Sequence, residues 1–175
     1  MATTPTYGWT TPNDSDPFKD GALAIRTLGN AIDSSVRGLG QGDISYTRNV
    51  GATLTLTTST ETELFRAPAF TPIAGRLYEM TVTVGYVQKI TGGGNIDIRL
   101  RMNSTSGTIL DQGLYSATPV GMIFVHSKTT IQTSTQMGTS AFTPICTVQT
   151  NTNGVTAANS AQLVGSIIFK DIGVA

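Results

Sequence analysis

The chain has 175 residues, enough for one domain of ordinary size plus an appendage. Its formal net charge is zero and only 13% of its residues are charged, so there is no basic field for nucleic acid or an anionic membrane, and neither is expected as a partner. Thr is the conspicuous excess, at 30 residues, while between Asn103 and Phe169 only Asp111 and Lys128 carry charge. Such a surface is polar without being ionic. It suits extended strands, because Thr is β-branched and turns its hydroxyl to water, and it is what a protein covered by neighbours would show.

Apolar residues make up 39% of the chain and are arranged in alternation, as burial of a core requires. The single cysteine, Cys146, lies in FTPICTV between apolar neighbours and reads as a small buried hydrophobe. No segment approaches about 18 consecutive apolar residues, and the N-terminus lacks a basic region followed by an apolar run. The expectation is a protein made in a cytosol and not exported alone by that route.

Residues 1–12, MATTPTYGWTTP, have neither helical nor strand period and read as an extended arm. Tyr7 and the only tryptophan, Trp9, flank Gly8 there, and large amphipathic rings are enriched as interface anchors. Tyr7, Trp9 and Pro12 are therefore candidate anchoring residues. A helix follows. Asp16 is placed to cap its first turn and Pro17 sits at the first helical position, where a missing N–H costs nothing. Its apolar residues fit a heptad, with Phe18, Ile25, Ile32 and Leu39 at one seam position and Leu28 at the other. Gly21 and Ser35 fill the remaining slots.

This helix is too short to stand alone, and each of its two glycines costs about 1 kcal/mol relative to Ala. Periodicity leaves two readings open: a single amphipathic helix packed on its own domain, or a bundle of the same helix from several subunits. Gly38, Gly40 and Gly42 end it and form a joint. The expected organisation is an arm over residues 1–15, the helix and joint over 16–42, and a β head over 43–175.

From Asp43 the period changes to two. Strands are predicted in ATLTLTT, ELFRA, RLYEMTVTVGYVQ, NIDIRLRMN, GTILDQG, GMIFVHSKTTI, FTPICTVQT and SAQLVGSIIFKDIG. The turn-rich TGGGN predicts that the strands around it pair as an antiparallel hairpin. QTSTQMGTS and TNTNGVTAANS read as loops. The last strand, apolar on both faces through Leu163, Val164, Ile167, Ile168 and Phe169, is expected at a sheet centre or between subunits. About eight strands with turn punctuation predict a mainly β fold: an antiparallel jelly-roll-like sandwich preceded by the extended arm and one α-helix.

Groups able to move protons are few. His126, the only histidine, sits in FVHSK with Lys128 on the same face, and reads as a hydrogen-bonded strand residue in preference to a general base. One His and one Cys do not make a zinc site. Glu61 and Glu63 share a strand face and resemble a carboxylate pair only by spacing. Gly92–Gly94 lacks the Lys and helix of a phosphate loop. No catalytic residue, cofactor or metal is expected.

The arm and helix together, PTYGWTTPNDSDPFKDGALAIRTLGNAID, resemble the N-terminal segment of small virion proteins of tailed bacteriophages, commonly described as tail-fibre or minor tail proteins. The matching residues are Tyr7, Gly8, Trp9, Pro12, Asp14, Asp16, Lys19, Asp20, Gly21, Ala22, Ala24, Ile25, Arg26, Leu28, Gly29, Ile32 and Asp33. The helix start departs from the family pattern in having DPF, and the head matches only at an IG-containing end, Asp171–Gly173. The resemblance implies a homotrimer held through the helix seam, with the arm docked on another virion protein, in a capsid decoration, head fibre or short tail fibre. It also implies localisation in the virion after synthesis in the host cytoplasm. The alternative is a host-attachment module whose loops, such as residues 132–140, bind a cell-surface glycan.

Overall fold

The computed structural model describes residues 2–3, 10–11, 21–38, 42–92, 94–151, 154–158 and 162–175. The chain divides into a small unit, Met1–Gly40, and a large one, Gln41–Gly173.

In the small unit, β1 (Ala2–Thr3) pairs antiparallel with β2 (Thr10–Thr11), a ladder that the lack of period in this stretch did not predict. Helix α1 spans Gly21–Gly38. Ala24 is buried and Gly21, Leu28 and Ala31 are half-buried. Their spacing of three and four residues puts them on one face. The expected cap and first turn at Asp16 and Pro17 lie outside the described residues.

The large unit holds β3 (Gly42–Asn49), β4 (Thr53–Leu56), β5 (Thr62–Arg66), β6 (Arg76–Lys89), β7 (Gly94–Met102), β8 (Ile109–Thr118) and β9 (Ile123–Thr133). After these come the one-turn helix α2 (Ser134–Met137), β10 (Pro144–Thr150), β11 (Val155–Ala158) and β12 (Gly165–Val174). One sheet runs β3-β12-β6 with β9 also paired to β6, and is extended by β11 and β4; the other runs β5-β10-β7-β8.

Setting aside the β4–β11 pair leaves eight strands in chain order: β3, β5, β6, β7, β8, β9, β10 and β12. They fall as first-eighth-third-sixth in one sheet and second-seventh-fourth-fifth in the other. That order defines an antiparallel jelly-roll sandwich. The final strand is central in its sheet, between β3 and β6.

The hairpin expected around TGGGN does not form. β6 and β7 lie in different sheets, β6 pairing with β9 and β11 while β7 pairs with β8 and β10. Alternation tells which face of a strand is buried but not which strand lies beside it, so the turn carries the chain across the sandwich. Two further elements sit in stretches read as loops. β11 lies within the Thr/Asn/Gly-rich segment, and α2 is held by a capping box in which Thr133 Oγ1 accepts from Gln136 N–H and Gln136 Oε1 accepts from Thr133 N–H.

The core lies between the sheets. Tyr78, Met80, Val82, Val84 and Val87 from β6 meet Ile96, Ile98 and Leu100 from β7, Cys146 and Val148 from β10, and Ile167 and Phe169 from β12. Phe70, between β5 and β6, packs on Phe142 and Phe169 with ring centroids 4.8 and 4.9 Å away. Full burial of each large side chain stabilises the fold by roughly 1.5–3 kcal/mol.

Buried polar groups at the core's margin are paired. Arg76 at the start of β6 donates from Nη2 to Asp171 Oδ1 on β12 at 2.7 Å, and both side chains are almost wholly buried. Lys89, at the end of β6, donates to Thr150 Oγ1 at 2.9 Å. β6 is bulged between Val84 and Val87, where Gly85 lets the backbone of Leu163 approach. A Cβ at Gly85 would lie 2.0 Å from the Leu163 carbonyl oxygen, so only glycine fits.

Candidate functional site

Four surfaces are distinguished by their chemistry. The first is α1. Of the five seam residues predicted, Ile25 is 66% exposed, Ile32 is 37% exposed and Leu28 is half-buried. Phe18 and Leu39 lie outside the described residues, as do the predicted anchors Tyr7, Trp9 and Pro12. Leu23, which the heptad does not include, is also exposed.

The second surface is the outer face of the β5-β10-β7-β8 sheet, which is ionic and extensively cross-linked, with only Arg99 Nε left as a buried side-chain donor without a partner among the described residues. The Glu61 carboxylate, just ahead of β5, receives Arg99 and Arg101 from β7 and the Thr147 hydroxyl from β10. Arg99 also reaches Asp97 at 2.8 Å, and Gln112 Nε2 donates to Asp97 at 2.9 Å. Burial by itself would raise the Glu61 pKa, but the hydrogen bonds from Arg101, Thr147 and Arg99 outweigh it and hold the carboxyl below its ordinary value. Glu63 is separately engaged with Arg66 at 2.7 Å. The two carboxylates that look like a pair in the sequence are thus held by different arginines.

The outer face of the opposite sheet is the reverse. Across β6 and β9 it carries a ladder of hydroxyls, Thr81 with Thr129 at 2.9 Å and Thr83 with Ser127 at 3.2 Å. On β9 the same alternation places Ile123, Val125 and Ile131 outward, each more than half exposed. Lys170 and Glu79 form an ion pair there at 3.6 Å. Across β6 and β9 this is the charge-poor, Thr-rich surface that composition anticipates, while Arg48 on β3, opposite Ser166 of β12, adds charge at the far side of the same sheet.

The fourth surface is the edge where β8 and β9, from different sheets, face each other. The inward positions of β9 that would be apolar in a closed core are instead His126, Lys128, Thr130 and Gln132. Lys128 Nζ reaches Asp111 Oδ1 at 2.7 Å and the Gln112 carbonyl at 2.6 Å, and Gln132 donates to the Leu110 carbonyl. His126 Nδ1 is 2.7 Å from the Tyr115 hydroxyl, and Tyr115 stacks on Phe124 at 4.3 Å. Inward charges and occupied carbonyls blunt an edge that would otherwise recruit another strand.

Burial lowers the His126 pKa from 6.5 to about 4; Asp111 opposes the shift and Lys128 adds to it. The imidazole is therefore neutral at neutral pH. Burial raises the Tyr115 pKa in turn, and pushes the fully buried Cys146 thiol far up, which makes it inert as a nucleophile. Sequence reasoning placed His126 and Lys128 on one strand face but missed Asp111 and Tyr115, since nothing in spacing reveals which strand packs opposite. Among the described residues no His, Cys, Asp and Glu cluster is placed to hold a metal, and no helix is long and apolar enough to cross a membrane.

Fold and surfaces together define a jelly-roll sandwich with one ionic outer face and, on the other, a charge-poor stretch across β6 and β9. No protein-family model matches the chain, and no curated protein sequence matches it. Among solved structures, it is similar to the Eiger TNF from S. frugiperda at 10% identity, over 77% of this chain and 96% of that one, with a TM-score of 0.46. It is also similar to the VP2 subviral particle of infectious bursal disease virus, at 8% identity and a TM-score of 0.45, over 75% of this chain and 33% of that one. A third likeness is to Bacillus endospore appendages, described as disulfide-linked pili, at 13% identity and a TM-score of 0.36, over 79% of this chain and 94% of that one.

Proposed function

We propose that the chain is a non-enzymatic structural protein of a tailed-phage virion, a homotrimeric surface appendage fastened through its N-terminal arm. The observation that carries this reading is the helix. Ile25 and Ile32, seven residues apart on the seam, remain exposed on α1, so that the apolar stripe of the small unit is incomplete without further copies. The resemblance of residues 5–33 to phage virion proteins supports the same conclusion, and the charge-poor stretch of the head across β6 and β9 suits a protein packed among neighbours.

Mechanistically the protein works by burial and avidity. Three arms on one trimer bind with a high effective concentration after the first has docked, which turns modest contacts by Tyr7, Trp9 and Pro12 into durable attachment. The role is a capsid decoration, head fibre or short tail fibre. Trp9→Ala is the test: the variant is expected to purify as the same oligomer and to be missing from virions. Normal incorporation would overturn the anchor assignment. Immunolabelling of intact particles then assigns it to capsid or tail.

A further inference from the structure

The β8–β9 edge is joined across the sandwich by side chains alone. Each strand pairs along one side only, β8 with β7 and β9 with β6. Between them stand the Lys128–Asp111 ion pair, the bonds from Lys128 and Gln132 to β8 carbonyls, the His126–Tyr115 hydrogen bond and the Tyr115–Phe124 contact. Elements with few backbone bonds are the first to open in a folded protein.

The seat of His126 is tight. Its ring lies flush on the β8 backbone at Gly113, where an added Cβ would fall 2.5 Å from Cε1 and 3.0 Å from Nδ1. Only 3% of the residue is exposed. The charged and titratable groups facing it are Asp111 and Tyr115 from β8 and Lys128 from its own strand. The β6 and β7 residues in register with the pair, Val84 opposite His126 and Ile98 opposite Gly113, do not titrate.

We infer that this edge is an acid-responsive latch, in which protonation of His126 unseats β9 from β8 while the inner strands of both sheets stay paired. Protonation places a charge on a ring that is almost wholly buried against Gly113, and that charge arrives beside the Lys128 ammonium. Asp111 is the one facing carboxylate, and Lys128 already holds it. Release then frees the Leu110 and Gln112 carbonyls of β8, converting a capped edge into an open one.

The sign agrees with burial. Because the folded protein holds His126 neutral down to about pH 4 and the open form ionises it near 6.5, the open form gains protons between those values and is favoured as pH falls through them.

The test uses the full chain. His126 is the only histidine, so a single imidazole resonance reports its titration. That titration is followed by NMR from about pH 7 to about pH 3, alongside hydrogen exchange corrected for the intrinsic effect of pH. Protection of residues 109–133 is expected to fall at least about tenfold as pH drops from 6.5 toward about 4 and to level off once the folded imidazole is protonated, while residues 144–150 and 165–171 keep theirs. Lys128→Met, which removes the repelling cation at a largely exposed position, is expected to move both transitions to higher pH together. An imidazole that titrates near 6.5 with protection unchanged, a loss of protection spread evenly over all strands, or transitions unmoved in Lys128→Met would each overturn the latch.

Discussion

Lys128 Nζ lies 2.7 Å from Asp111 Oδ1, and these are the only charged residues between Asn103 and Phe169. The head therefore spends both charges of that stretch on each other, at an edge where neither forms a field for a charged partner. Lys128 is partly solvated, so the pair contributes modestly. Single replacement by Asn or Met is expected to cost about 1 kcal/mol, with a coupling below roughly 1 kcal/mol in a double-mutant cycle followed by urea unfolding.

Arg76 and Asp171 form the opposite case. Both are buried and join β6 to β12, and Asp171 also accepts the Gly173 N–H at 3.1 Å. Asp171→Ala removes the carboxylate that pairs with a buried guanidinium and should destabilise the head by about 3–5 kcal/mol. Replacing both residues with apolar ones of similar size should cost less than either single change, which calorimetry can decide.

Two glycines admit close neighbours. Gly85→Ala forces the backbone at Leu163 to move and should cost about 2 kcal/mol or more. Gly113→Ala meets only the end of the His126 side chain, so a smaller loss is expected, together with a displaced imidazole visible as a changed titration midpoint.

Stability should fall on the acid side. His126 contributes stability that is complete above about pH 6.5 and lost as pH falls toward 4, since the unfolded chain takes its proton first. Glu61, whose folded pKa is below its ordinary 4.5, contributes stability present above that value and lost beneath it. The two effects have the same sign. Urea midpoints should be level from pH 7 upward as far as these two groups go, and decline below about 6.5.

The sandwich was legible from alternation, because Thr-spaced apolar residues in β6, β7 and β12 state directly which face is buried. Pairing was not legible. TGGGN has the chemistry of a hairpin turn, yet it joins strands of different sheets, and turn chemistry does not encode the distance a chain must cross. α2 was missed although Thr133 and Gln136 carry a capping-box spacing, since a single turn has no period to detect. The ion network on Glu61 was hidden for the same reason as the latch: Glu61, Arg99 and Thr147 are far apart in sequence and meet only through strand order. Periodicity left the helix open between a single amphipathic helix and a seam between copies, because a 3.6-residue stripe and a 3.5-residue seam coincide over so few turns.

The central claim is that α1 leaves an apolar stripe for other copies to cover. The direct measurement is the native mass of the full-length protein at micromolar concentration, compared with that of Ile25→Asp/Ile32→Asp. The account predicts three chains for the native sequence and a loss of the trimer in the double variant, with the sandwich still folded by circular dichroism. A monomer for the native sequence, or a trimer indifferent to both substitutions, would contradict it.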